Sequence, residues 1–171
     1  MKALTKNPQQ SLSDMSIEVD VQVADEADDL PASNKIADWV TLAVASVLKD
    51  DTPSELTVRI VDTEEMKALN QTYRHKEGVT NVLSFPVEAD LPMEPRLLGD
   101  VVICADVVRR EAIEQHKPPE SHWAHLVIHG TLHLLGFDHI NENDAAVMEK
   151  REIQLLHQLG YANPYEVTTD S

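Results

Sequence analysis

The sequence predicts an α+β fold, a mixed four-stranded sheet packed against about five helices in one domain. Three observations predict it. Strand-like runs with alternating or β-branched residues are interleaved with stretches whose apolar residues recur at the helical period. Two strand runs, residues 80–87 and 101–104, then come close together before helices finish the chain. A length of 171 residues with 42% hydrophobic content suits a single core.

Residues 1–15 read as a flexible, polar N-terminal tail, 16–165 as the domain and 166–171 as a second tail. Ile17, Val19, Val21 and Val23 alternate with Glu18, Asp20 and Gln22, the period of a half-buried strand. The acidic stretch 25–29 reads as a solvated linker. Ser33 or Asn34 can cap a helix whose stripe is Ile36, Trp39, Val40, Ala43, Val44, Val47 and Leu48. Residues 56–61 form a second strand with Arg59 at its middle, either a solvent-facing position or a cation held to meet an anionic substrate. Asp62 or Thr63 caps the next helix, which is expected to end near Tyr73 and lead into the polar loop 74–78. Pro86 makes 80–87 an edge or bulged strand, and 88–95 an exposed loop. A short buried strand at 101–104 precedes a helix through Val107, Val108, Ala112 and Ile113 to about His116. Pro118 and Pro119 separate it from a helix beginning near Glu120 or Ser121 and ending at Gly136. The last helix starts near Asn143, with Ala146, Val147, Ile153, Leu155, Leu156 and Leu159 as apolar positions and Gly160 as its stop.

A net charge of −16 and a pI near 4.7 argue against non-specific binding to nucleic acid or anionic membrane. No apolar run reaches transmembrane length and no signal pattern is visible, so neither a membrane nor a DNA partner is expected. The single cysteine, Cys104, fits a reducing cytoplasm and lies in an apolar run as a buried structural thiol.

Chemistry concentrates in residues 129–139, His-Gly-Thr-Leu-His-Leu-Leu-Gly-Phe-Asp-His. On a helix His129 and His133 share a face, and Gly136 can turn the chain left-handed to return His139 to the same ion. Three imidazoles with a fourth position open describe a catalytic zinc site, although nickel, copper or cobalt would also bind them. His125 and His122 lie on the same stripe, but a metal shared by His125 and His129 would sit a full turn away, without the glycine turn. They therefore read as core residues or as supports behind the ligands. Asp138 can orient a ligand ring or be satisfied by backbone amides in the turn. The spacing equals the long metzincin zinc signature, but Gly130 stands where those proteases carry their general-base glutamate. A phosphodiester suits the remaining metal and arginine better than a peptide, because its transition state is richer in anionic oxygen.

Those eleven residues resemble the signature of the YbeY-type endoribonucleases, bacterial rRNA-maturation factors. Further blocks are similar in family order: Glu55-Leu56-Thr57-Val58-Arg59, Leu69-Asn70-Gln71-Thr72-Tyr73-Arg74, Thr80-Asn81-Val82-Leu83-Ser84-Phe85-Pro86 and Leu98-Gly99-Asp100. The similarity spans roughly residues 16–165, and Phe137 stands where many members have tyrosine. The resemblance implies a single-strand-specific, metal-dependent endoribonuclease acting in small-subunit rRNA 3′-end maturation and ribosome quality control. It implies zinc on His129, His133 and His139, a catalytic role for Arg59, and single-stranded rRNA, the small ribosomal subunit and assembly factors as partners.

RNA contact needs a local basic surface in so acidic a chain, and Arg59, Arg74, His75 and Lys76 are the residues that can supply it beside the metal. Two rival readings stand beside the nuclease. One is a metal-dependent hydrolase of another bond, the other a non-catalytic ribosome-assembly protein with a structural zinc.

Overall fold

The computed structural model describes residues 17–25, 27–87, 95–138 and 141–166. Among them the chain forms β1 (Ile17–Val23), α1 (Ser33–Val47), β2 (Ser54–Val61), α2 (Thr63–Arg74), β3 (Val82–Pro86), β4 (Arg96–Cys104), α3 (Ala105–Glu114), α4 (Pro119–Leu134) and α5 (Glu142–Gln158). The expected N-terminal tail, residues 167–171 of the expected C-terminal tail, most of the 88–95 loop and His139 lie outside the described residues.

The sheet order is β1-β2-β4-β3. β1, β2 and β4 run parallel while β3 is antiparallel to β4, so the mixed four-stranded sheet is as the sequence predicts. β3 is an edge strand ending at Pro86, whose missing N–H costs nothing there. β4 is longer than the buried run suggests. It begins at Arg96, and a register shift at Glu55/Leu56 lets Gly99 pair with Leu56 while Leu98 is skipped.

Side-chain parity divides the molecule into layers. Leu56, Val58 and Ile60 of β2, with Val101 and Ile103 of β4, join α1, α4 and α5 in the main core. The alternate residues Val61, Val102 and Cys104 face the other way and pack with Leu83, Met66 of α2 and Val107 of α3. Cys104 is fully buried, as expected of a structural thiol. Side-chain caps fix two helix starts: Asp62 Oδ1 accepts from the Glu65 amide at 2.9 Å, and Asn141 Oδ1 from the Asp144 amide at 2.9 Å. α1 starts at Ser33 after Ala32, without the expected side-chain cap.

Two apolar stripes differ from the sequence reading. Ile113, expected to face inward, is 72% exposed at the end of α3. In α5 the buried face is Met148, Glu152, Leu155 and Leu156, while Val147 is exposed. That face follows the i, i+4, i+7, i+8 rule with a carboxylate in its second position.

α4 lies at the centre of the main core, with eleven of its sixteen residues buried. It packs on β3, β4, α1, α3 and α5. Gly130 is what lets it sit so close to the sheet, because an added Cβ would lie 2.6 Å from Val101 Cγ1, 3.2 Å from Val82 Cγ2 and 3.3 Å from Ser84 Oγ. Ser84 Oγ donates to the Gly130 carbonyl at 3.0 Å and pins the helix to the edge strand. The metzincin glutamate therefore has no room here. At the other end Gly136 has φ +100, Phe137 N–H donates to Leu132 O at 3.0 Å and Gly136 N–H to His133 O at 3.1 Å. This is a Schellman motif, and it turns the chain back after α4 as the sequence predicts.

Gly130→Ala is expected to lose about 1–3 kcal/mol through overpacking, read as a lower urea midpoint at unchanged slope. Gly136→Ala, where the space is open but φ is left-handed, is expected to lose about 1–2 kcal/mol for conformational reasons alone.

Candidate metal centre and substrate groove

The buried, multiply packed α4 fixes the direction of its histidines. His129 and His133, one turn apart, have ring centroids 4.7 Å apart in an edge-to-face arrangement. Both line a groove of about 950 Å³ that runs along the β3 edge. Its opposite wall is the end of α2 with the loop after it, supplying Asn70, Arg74 and Lys76. Ser84 and Pro86 form the strand side, and Gly136, Phe137 and Asp138 carry the Schellman turn to the groove. Arg151 backs that turn, its Cζ 5.6 Å from the Phe137 ring centroid.

Behind the histidines sits Glu152, fully buried on α5. Its Oε2 lies 2.7 Å from His129 Nδ1 and its Oε1 2.8 Å from His125 Nε2, and the Tyr165 hydroxyl donates to the same Oε1. Burial pushes this carboxyl up, but the hydrogen bonds from His125 and His129 outweigh it and hold the group at about 2. It is therefore an anion at neutral pH. Burial, and then the Glu152 carboxylate, push the Tyr165 hydroxyl far above its ordinary range, so it stays a donor.

An anionic acceptor at His129 Nδ1 selects the tautomer protonated there and puts the ring lone pair on Nε2. His125, His129 and Glu152 each offer a ligand atom within 4.8 Å of the others, so this group can itself bind a metal. Two donors about 2.0–2.1 Å from one tetrahedral ion are roughly 3.3 Å apart, so the separations of 2.7 and 2.8 Å are those of hydrogen bonds. In this arrangement Glu152 orients the ring. A second buried pair lies further along the helix, with His122 Nε2 2.9 Å from Glu111 Oε1. Burial lowers the His122 pKa despite Glu111, and Asn81 Nδ2 donates to Glu111 at 3.1 Å from the groove wall.

The candidate residues are thus partly brought together. His129, His133, Arg74, Lys76 and Asp138 border one groove, His125 lies behind it against Glu152, and His139 is outside the described residues. His75 does not line the groove. It is the C-cap of α2 at φ 55, a left-handed position that lets the helix run through Arg74, one residue past its expected end.

Arg59 is not among the residues that line the groove. It pairs with Val102 in the ladder, on the sheet face covered by α2, whereas α4 lies on the face of Val101. Its guanidinium is held by Glu65 through Nε at 2.7 Å and Nη2 at 2.9 Å, with Gln22 Oε1 3.3 Å from Nη1. The Glu65 hydrogen bonds push its pKa up. The guanidinium that does reach the groove is Arg74, whose Nη2 donates to the Ser84 carbonyl at 3.0 Å.

Sequence reasoning missed Glu152. Its signal is a charged residue on the stripe of Met148, Leu155 and Leu156, where an apolar side chain belongs.

Comparison with known proteins agrees with this architecture. The family model described as Endoribonuclease YbeY matches residues 11–160. The Endoribonuclease YbeY of Coxiella burnetii (strain Dugway 5J108-111) is 49% identical over 150 residues, 88% of this chain and 99% of its own length. The solution structure of TM1509 from Thermotoga maritima shares the fold, with a TM-score of 0.53 at 23% identity, over 85% of this chain and 99% of that one. The chain belongs to the YbeY endoribonuclease family.

Proposed function

We propose that the chain is a metal-dependent endoribonuclease that cuts single-stranded rRNA in the cytoplasm, in small-subunit 3′-end maturation and ribosome quality control. The small ribosomal subunit and its assembly factors are its partners in that role. The observation that carries the metal reading is the His129–Glu152 bond beside His133 at the groove, a carboxylate–histidine arrangement that raises ring basicity and fixes ring direction. His129 and His133, with His139, would hold a zinc ion. A bound divalent ion would supply Lewis acidity toward a phosphoryl oxygen.

The chain's own residues divide the remaining work. Arg74 and Lys76 bind backbone phosphates across the groove from the histidines, while the Arg74 bond to Ser84 O limits where its charge can go. Glu152 and Tyr165 hold His129 in one tautomer. Asp138, at the mouth of the turn, orients a ring or a water. Glu77 and Asp138 leave the groove wall close to neutral against Arg74 and Lys76, so few phosphates are gripped by side chains. A peptidase reading loses support from Gly130, because the sheet occupies the space a general-base glutamate would need.

The metal-loaded protein is expected to cut single-stranded RNA and to stop when the ion is chelated. His133→Ala should be inactive at any metal concentration that supports the wild type. RNA left intact by a protein shown to hold its metal sinks the reading. Arg74→Ala should lower kcat/KM by about 10²-fold and the salt slope of RNA binding by about 0.7, whereas Arg59→Ala should stay within about threefold of wild type. Equal losses in both variants, measured side by side, would move the substrate to the other sheet face. Glu152→Gln should weaken zinc affinity by about 10–100-fold in a competition titration while leaving the circular-dichroism spectrum unchanged.

A further inference from the structure

Beside the groove lies an aromatic pair that none of the functions above uses. Tyr73, on α2, is 60% exposed, more than any other Phe, Tyr or Trp among the described residues. Its ring meets Phe85 of β3 at a centroid distance of 5.3 Å and an interplanar angle of 70°. The Arg74 guanidinium lies 6.0 Å from the same Phe85 ring. Tyr73 therefore does not project as a loose side chain. An edge-to-face contact restrains its angle, and its exposure leaves ring surface to solvent.

Position gives the pair its meaning. Asn70 and Arg74, three residues before Tyr73 and one after it, line the groove, as do Ser84 and Pro86 on either side of Phe85. The pair sits on the rim where α2 meets the edge strand. A strand whose phosphate is held by Arg74 would bring a neighbouring base over this rim.

We propose that Tyr73, steadied by Phe85, is a stacking site for one nucleobase of a single-stranded RNA. The inference rests on the endoribonuclease reading and names a substrate contact within it. Stacking needs no particular base, because every base has a π-face, so the site adds affinity without sequence readout. It also selects for single strands, since a base paired within a helix is already stacked on its neighbours. In a groove whose wall charges nearly cancel, such a contact supplies affinity that phosphate binding does not.

The test uses the full metal-loaded chain. In Tyr73→Trp the new indole is the exposed reporter, because Trp39 and Trp123 are 2% and 4% exposed in the core. A 2′-O-methyl single strand should quench it, and the same strand with abasic sites, or annealed into a duplex, should not. In steady-state cutting, Tyr73→Ala should raise KM by roughly 5- to 150-fold with the loss falling on KM and not on kcat. Tyr73→Phe should restore the wild-type KM, and one abasic nucleotide in the substrate should erase the difference between wild type and Tyr73→Ala. A Tyr73→Ala enzyme with wild-type KM on naked RNA overturns the stacking site, including the case in which the patch serves a protein partner. So does an equal defect on abasic substrate, which marks a structural role. A wild-type protein that cuts no RNA is a different result: it removes the nuclease reading, and the stacking site with it.

Discussion

One buried carboxylate governs the geometry of this molecule's chemistry. Glu152 has no contact with solvent, yet it accepts from two imidazoles and a phenol contributed by α4 and the C-terminal segment. A lone buried anion would cost several kcal/mol, and this one persists because each oxygen is matched to donors from fixed backbone. The same bonds that stabilise the anion aim the His129 ring. Stability and ring orientation are here a single interaction, and α5 serves the site although none of its described residues lines the groove.

The rest of the fold places the partners of that interaction. α4 can present His129 and His133 at the sheet edge only because Gly130 lets it rest on Val101, Val82 and Ser84 with no side chain between. Gly136 then ends the helix and carries Phe137 and Asp138 along the groove. α2 forms the far wall because His75 accepts a left-handed conformation, so Arg74 remains helical and reaches across to Ser84. Groove, histidine pair and cation thus depend on three backbone positions, at residues 75, 130 and 136.

What the sequence disclosed follows from the range of each signal. The histidine pair and the glycine turn are local, written within eight residues, and helix geometry alone brings them together. Strand alternation was legible for the same reason, and it gave the sheet. Glu152 was not read because its partners are 23 and 27 residues away and α5 carries several other carboxylates. Its one distinguishing mark is its place on an apolar stripe, and the sequence reading shares Leu155 and Leu156 with that stripe but follows Val147 where Met148 is buried. Arg59 reads as an unusual strand cation within the similar blocks, and only strand parity says which face it occupies. Residue 59 alternates with Val58 and Ile60, which face α4, so it must face α2. There the Asp62 cap starts α2 in time to bring Glu65 to its guanidinium. Arg74 reads as loop in the sequence because the αL cap at His75 is rare for a residue with a side chain.

Charge is the remaining physical problem for an RNA enzyme with a formal net charge of −16. Counterion release scales with the number of phosphates neutralised, and the groove lining offers Arg74 and Lys76 against Glu77 and Asp138. A divalent ion between the histidines would change the balance more than either side chain does, so metal binding and phosphate binding reinforce each other on the proposed reading. Long-range attraction is correspondingly weak, since the acidic surface beyond the groove repels a polyanion over the same distances at which the groove attracts it. Such a protein gains little by searching free RNA and much by being delivered to it. Its choice of sequence would then reside in where a partner holds the strand, with the groove supplying cleavage and a preference for single strands.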